Sequence, residues 1–180
     1  MPLSKEVRRR AADVRLVVFD VDGVLTDGRL FLSDSGEETK CFHVRDGHGL
    51  VMLREAGIAV AIISGRKARS VAKRMKELGI AYVYQGVADK INVFNKLLEK
   101  LKIVPSQVAY LGDDVPDLPV MRVVGLPAAV ADAHRLVREQ ALWVAANEGG
   151  RGAARELCEL ILEAQGGLEQ TSAPHRATGM

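Results

Sequence analysis

Phe19-Asp20-Val21-Asp22-Gly23-Val24-Leu25-Thr26-Asp27-Gly28 is the stretch that decides the fold. It completes an apolar run from Val14 to Phe19, which reads as a buried strand because it is short and bounded by a glycine-bearing loop. Asp20 then stands at the C-terminal end of that strand, the edge of an open α/β sheet where ligands bind. Side chains alternate along a strand, so Asp20 and Asp22 share a face while Val21 turns back to the core. Two ionised carboxylates so close repel each other, and a divalent cation relieves the repulsion. Hard oxygen ligands suit Mg²⁺. The same residues would also make a plain acidic turn, since Asp and Gly favour turns on conformational grounds alone.

Composition narrows the class. The chain has 180 residues, 48% of them hydrophobic, enough for one well-buried domain. A formal net charge of +2 and 4% aromatic residues argue against a nucleic-acid partner. Cys41 and Cys158 lie far apart without metal-ligand spacing, which reads as a reduced, cytoplasmic protein. No segment has the pattern of a secretory signal, and none approaches the roughly 20 apolar residues of a membrane span. The sequence divides into a basic, solvated lead-in over 1–12 with Arg8-Arg9-Arg10, a single domain over 13–165, and a tail over 166–180, rich in Gly, Ser, Thr and Ala taken together and expected to be mobile.

Signals along the chain alternate. Arg29 to Ser33 and Glu38 to Val44 read as a hairpin around Asp34-Ser35-Gly36-Glu37, forming a flap over 28–44. A helix is expected over Gly49 to Ala56, a strand over Ile58 to Ile63, a helix over Lys67 to Leu78 and a strand over Ala81 to Tyr84. Then come a helix over Asp89 to Lys102, a strand over Val108 to Leu111, a short helix near Leu118 to Val123 and a strand over Ala128 to Ala131. His134 to Gln140, Leu142 to Ala145 and Arg151 to Ala164 close the pattern as helix, strand and helix. This order predicts an α/β fold: a Rossmannoid parallel sheet with helices on both faces. The segments between strands are too short for a separate cap domain.

The polar residues of interest follow strands. Asp20 and Asp22 follow the first, Ser64-Gly65-Arg66 another, Lys90 opens a helix, and Gly112-Asp113-Asp114 with Asp117 follow a third strand. Parallel strands present the same ends, so these groups converge above one edge. Phosphoryl transfer needs such a set: a nucleophile, neutralised phosphate oxygens and a proton for the leaving group. Asp20 suits the nucleophile, Asp20 and Asp113 a Mg²⁺ site, Ser64 and Lys90 the phosphate, and Asp22 the acid and then the base. Taken singly, Ser64 is also a helix cap, Lys90 a solvated lysine, Asp113-Asp114 a turn, and Arg66 a partner for Asp114 or Asp117.

The pattern Asp20-Val21-Asp22-Gly23-Val24-Leu25-Thr26, Ile63-Ser64-Gly65-Arg66, Lys90 and Gly112-Asp113-Asp114 resembles the four motifs of the haloacid dehalogenase superfamily of phosphatases. The resemblance covers about residues 13 to 165. Thr26-Asp27-Gly28 with its hairpin, Phe42 to Gly49, Gln85-Gly86, Val108 to Asp114 and Gly149 to Glu156 resemble a capless branch that dephosphorylates sugar acids for bacterial lipopolysaccharide. That resemblance implies Mg²⁺ held by Asp20, Asp113 and the Asp22 backbone carbonyl. It implies substrate contacts from Asp22, His43, Val44, Arg45, Asp46, Gly47, Gly65, Arg66, Arg74 and Lys90. It also implies a homotetramer in which neighbours cover each site, the hairpin (Leu30, Phe31, Leu32, Cys41, Phe42) packs against other subunits, and the Gly149 to Ala153 segment, with Arg151, closes a neighbour's site. His43 stands where relatives commonly have asparagine, and Val51 where some have arginine. His48, beside Gly49, reads as a helix-start or interface residue.

Two other readings stay open. The same scaffold could serve a nonulosonate 9-phosphate or a nucleotide monophosphate. A non-catalytic module that receives or carries phosphate also gathers acids and a lysine at strand ends, although it has no need of Asp22.

Overall fold

A computed structural model describes residues 4–167. In chain order its elements are α1 (Lys5–Ala12), β1 (Leu16–Phe19), β2 (Phe31–Leu32), β3 (Glu38–Thr39), α2 (Val44–Glu55), β4 (Ala59–Ser64), α3 (Arg69–Glu77), β5 (Tyr82–Gln85), α4 (Lys90–Leu101), β6 (Val108–Gly112), α5 (Leu118–Met121), β7 (Leu126–Ala129), α6 (Arg135–Gln140), β8 (Trp143–Val144) and α7 (Ala153–Ala164). Six strands form one parallel sheet in the order β5-β4-β1-β6-β7-β8. All four residues of β1 are buried, as expected for a central strand covered on both faces. Phe19 pairs with Ile62 on one side and Leu111 on the other. The chain builds outward from β1 through β4 to β5, then returns to β1's other side with β6. Strand order reverses there, and the crevice beyond the strand ends at such a point is where α/β sheets hold ligands.

The hairpin is shorter than its sequence suggests: β2 and β3 are two residues each and form their own small sheet. A two-stranded ribbon is marginal in water, so its ends fray into loop. Leu30, Phe31 and Leu32 remain exposed, Leu32 at 63%, whereas Phe42 packs against the core.

Three boundaries differ from expectation for identifiable reasons. The solvated lead-in over 1–12 contains α1, capped by Ser4 and packed on α7, with Val7 and Ala11 buried. Glu6 pairs with Arg9 and Arg10, which lets a basic stretch stay helical. Helix α2 starts at Val44 rather than Gly49, so Gly47 and Gly49 lie inside it despite their low helix propensity. A Cβ at Gly49 would stand 3.1 Å from Cys158 Sγ and 3.2 Å from Arg155 Cδ; glycine there permits the close α2–α7 contact. Strand β7 begins at Leu126 and includes Pro127, which a strand tolerates near its first residue. The tail expected over 166–180 lies, from residue 168 onward, outside the described residues.

Candidate active site

Beyond the ends of β1, β4 and β6, a cleft of about 180 Å³ is lined by Asp20, Asp22, Ser64, Gly65, Arg66, Lys90, Asp113, Asp114, Pro116 and Asp117. Asp20 is the first residue past the β1 ladder; its N–H donates to the Leu111 carbonyl at 3.2 Å, which fixes its backbone to β6. Gly23, at φ +85°, turns the chain back immediately. A Cβ there would collide with the Asp113 carboxylate, so glycine is required for the two acidic loops to approach.

Lys90, on the first turn of α4, is buried and reaches across the cleft floor. Its Nζ lies 3.1 Å from Asp20 Oδ2 and 2.7 Å from Asp117 Oδ1. Burial alone would lower the Lys90 pKa, but the charges of Asp20 and Asp117 outweigh it and raise it, so the ammonium stays charged. Asp117 has no role of its own that is legible in the sequence. Structurally it is the hub: Oδ1 also accepts from the buried Tyr110 hydroxyl at 2.6 Å, and Oδ2 accepts from the N–H groups of Asp113 at 3.0 Å and Asp114 at 3.2 Å. A hydroxyl near the end of an otherwise apolar strand was the one available sequence signal for this frame.

Carboxylate oxygens of Asp20, Asp113 and Asp117 all lie within 4.8 Å of one another. Burial, then the Asp117 charge, lifts the Asp20 pKa to about 7 against the pull of Lys90. Burial, then Asp117 and Asp20, lifts that of Asp113 to about 8. Among the described residues, Asp20 Oδ1 and Asp113 Oδ1 are buried without a hydrogen-bond partner. Both Asp117 oxygens are already engaged. The open coordination therefore belongs to Asp20 and Asp113: oxygen donors in a negative pocket that fit a hard divalent cation.

Ser64, buried at the end of β4, does not cap α3; Ala68 occupies that position, and its N–H donates to Gln85 Oε1 at 2.9 Å. Ser64 Oγ accepts from the Arg66 N–H at 3.3 Å, leaving its own proton free to donate into the cleft. Arg66 pairs with neither Asp114 nor Asp117. Its Nη2 lies 2.7 Å from Glu38 Oε2 on the hairpin. Lys40, next along that hairpin, donates to Asp22 Oδ1. Neither Glu38 nor Lys40 carries a signal of this in the sequence.

The remaining expected substrate contacts lie elsewhere in this chain. His43, Asp46, Gly47 and Arg74 pack around Leu25, Phe42 and Met75 in a crevice of about 10 Å³, too tight for a sugar acid. Asp46 is turned inward and caps α7, accepting from the N–H groups of Gly152 at 3.2 Å and Arg155 at 2.9 Å. Burial raises its pKa, partly offset by those two bonds. Val44 is 77% exposed. Arg45 lines a separate cleft with Arg151 and Arg155, and Arg151 also lines one with Asp27, Cys41 and His43. His48 is exposed within α2, with no partner in the cleft.

Comparison with known proteins places this geometry in context. The model for haloacid dehalogenase-like hydrolases matches residues 80–157. The 3-deoxy-D-manno-octulosonate 8-phosphate phosphatase of Escherichia coli strain K12 is 51% identical over 169 residues, covering 94% of this chain and 90% of the other. A crystal structure of the phosphatase of that name from Yersinia pestis superposes with a TM-score of 0.92 at 50% identity, covering 93% and 91% of the two chains. Another, from Moraxella catarrhalis in complex with a magnesium ion, a phosphate ion and KDO, gives 0.91 at 41% identity, covering 94% and 97%.

Proposed function

The chain belongs to the family of 3-deoxy-D-manno-octulosonate 8-phosphate phosphatases, and from that premise we propose how its own residues carry out the family's reaction. The activity is hydrolysis of 3-deoxy-D-manno-octulosonate 8-phosphate to the free sugar acid and phosphate, a step in lipopolysaccharide precursor synthesis. One observation carries the reading: Asp20, one of whose oxygens is buried without a hydrogen-bond partner among the described residues, lines a cleft in which Lys90, Ser64 and Asp113 converge.

In the first half-reaction the Asp20 carboxylate attacks phosphorus, forming an aspartyl-phosphate as the ester P–O bond breaks. The leaving alkoxide takes a proton from Asp22. In the second, Asp22 accepts a proton from water, the water oxygen bonds phosphorus, and the aspartyl P–O bond breaks, returning the Asp20 carboxylate and free phosphate. Lys90, charged and held by Asp117, aligns Asp20 and offsets negative charge on the phosphoryl oxygens. The Ser64 hydroxyl and nearby backbone N–H groups take further phosphate oxygens. Asp20, Asp113 and the Asp22 backbone carbonyl would hold Mg²⁺, which neutralises phosphate charge when bound.

A cleft of about 180 Å³ accommodates a phosphoryl group better than a whole eight-carbon sugar acid. The exposed Leu30, Phe31 and Leu32 offer an apolar surface of the kind that marks interfaces. A homotetramer in which a neighbour supplies the walls of each site accounts for both, and gives His43, Val44, Arg45 and Arg151 a place near a neighbour's substrate. Arg66, held to Glu38 through Nη2, keeps its other N–H groups for the substrate carboxylate. No helix among the described residues is long and apolar enough to cross a membrane; the cytoplasm is the proposed location.

Phosphate release from octulosonate 8-phosphate, a nonulosonate 9-phosphate and a nucleoside monophosphate, each with Mg²⁺ and with chelator, tests the reading. The highest kcat/KM is expected for octulosonate 8-phosphate, with loss on chelation. A higher value for another ester would reassign the substrate, and no turnover on any would leave a phosphate-receiving module.

A further inference from the structure

Lys40 is a lysine with almost no exposed side chain, 1%, on a hairpin of only two-residue strands. Its Nζ donates to Asp22 Oδ1 and lies in ion contact with Glu38 Oε1. Glu38 Oε2 in turn takes Arg66. A chain of charges, Asp22–Lys40–Glu38–Arg66, thus runs from the loop after β1, through the hairpin, to the loop after β4. Stability does not explain it. Burying an ammonium is costly, and buried ion pairs roughly break even against apolar packing. Position does explain it. With Oδ1 of Asp22 tied to Lys40, Oδ2 is the oxygen left buried and without a partner among the described residues, in a residue that lines the cleft.

We propose that Lys40 is a positioning residue for proton transfer: it holds Asp22 so that Oδ2 faces the leaving-group oxygen. The inference rests on the reading of Asp22 as acid and base. Lys40 does not touch the substrate. The proton passes from Asp22 Oδ2 to the departing alkoxide as the ester P–O bond breaks and the Asp20–phosphorus bond forms. Glu38 makes a second contact to the buried ammonium, and Arg66 balances the charge of Glu38. The hairpin thereby sets the acid.

The test compares Lys40→Met, Lys40→Arg and the unaltered enzyme on two esters. Octulosonate 8-phosphate leaves as an alkoxide that needs a proton; p-nitrophenyl phosphate leaves as a stable phenolate that does not. The parameter is kcat/KM, which reports on phosphoenzyme formation and not on the later hydrolysis. Lys40→Met should lose about 100-fold on the sugar phosphate, in the range of general acid catalysis, and far less on the aryl ester. Retained aryl turnover also shows that Asp20, Ser64 and Lys90 are still assembled. Lys40→Arg, which keeps the charge, should recover part of the sugar-phosphate rate. Equal loss on both esters, or no advantage of Arg over Met, would overturn the proposal. Failure of the unaltered enzyme on the sugar phosphate would instead overturn the substrate reading.

Discussion

The ammonium of Lys90 lies 3.1 Å from Oδ2 of Asp20, joining the start of α4 to the end of β1 beneath the cleft. The same ammonium meets Asp117 at 2.7 Å, so one cation serves two buried carboxylates. Removing one partner of a buried pair leaves an uncompensated charge. Lys90→Met is therefore expected to lower unfolding free energy by about 3–5 kcal/mol at neutral pH. It should also reduce kcat by about 100-fold or more, as losing a preorganised charge does. Denaturant unfolding and steady-state rates check the two effects; normal stability with normal turnover would refute the role.

Tyr110 gives a sharper probe of the frame. Its hydroxyl is buried and donates only to Asp117 among the described residues. Tyr110→Phe removes a hydrogen bond to a charged group, worth about 1.5–3 kcal/mol. Because Asp117 acts as a brace and its oxygens are engaged, the Mg²⁺ concentration for half-maximal activity should stay put while the melting temperature falls. A large rise in the Mg²⁺ requirement would mark Asp117 as a ligand instead.

Mg²⁺ binding should stabilise the fold in a pH-dependent way. The native pKa values of Asp20 and Asp113, about 7 and about 8, stand above the usual 3.8. Between those limits the folded state binds more protons than the unfolded state, so their contribution to stability is present at low pH and is lost as pH rises toward 8. A cation replaces the missing protons. The Mg²⁺-induced rise in melting temperature should therefore be larger at about pH 8.5 than at about pH 5.5. A shift independent of pH, or its persistence in Asp113→Asn, would contradict this assignment.

Asp20, Asp22, Ser64, Lys90 and Asp113 were legible in the sequence because each follows a run of buried apolar residues or opens a helix, and a parallel sheet brings such positions together. The frame behind them was not. Tyr110 reads as one more β-former, and Asp117 as the end of an acidic turn, until the 3₁₀ turn at 115–117 folds the carboxylate back under β6. Lys40 carries no periodic signal, since a two-residue strand is too short to show which face is buried. Asp46 stands among the expected substrate contacts only through the family resemblance that Phe42 to Gly49 carries. It lies in the first turn of α2, whose geometry points the carboxylate at the N-terminus of α7, where backbone N–H groups need an acceptor. Helix α1 was hidden by its charge: Arg8-Arg9-Arg10 reads as solvated, although Val7 and Ala11 share a buried face.

The central claim is that Asp20 is the nucleophile. Asp20→Asn keeps the shape of the side chain and removes the attacking carboxylate. The most direct measurement is phosphate release from octulosonate 8-phosphate with saturating Mg²⁺ by this variant, alongside a melting curve. Asp20→Asn is expected to give a folded protein with no release above background. Turnover near that of the unaltered enzyme would contradict it.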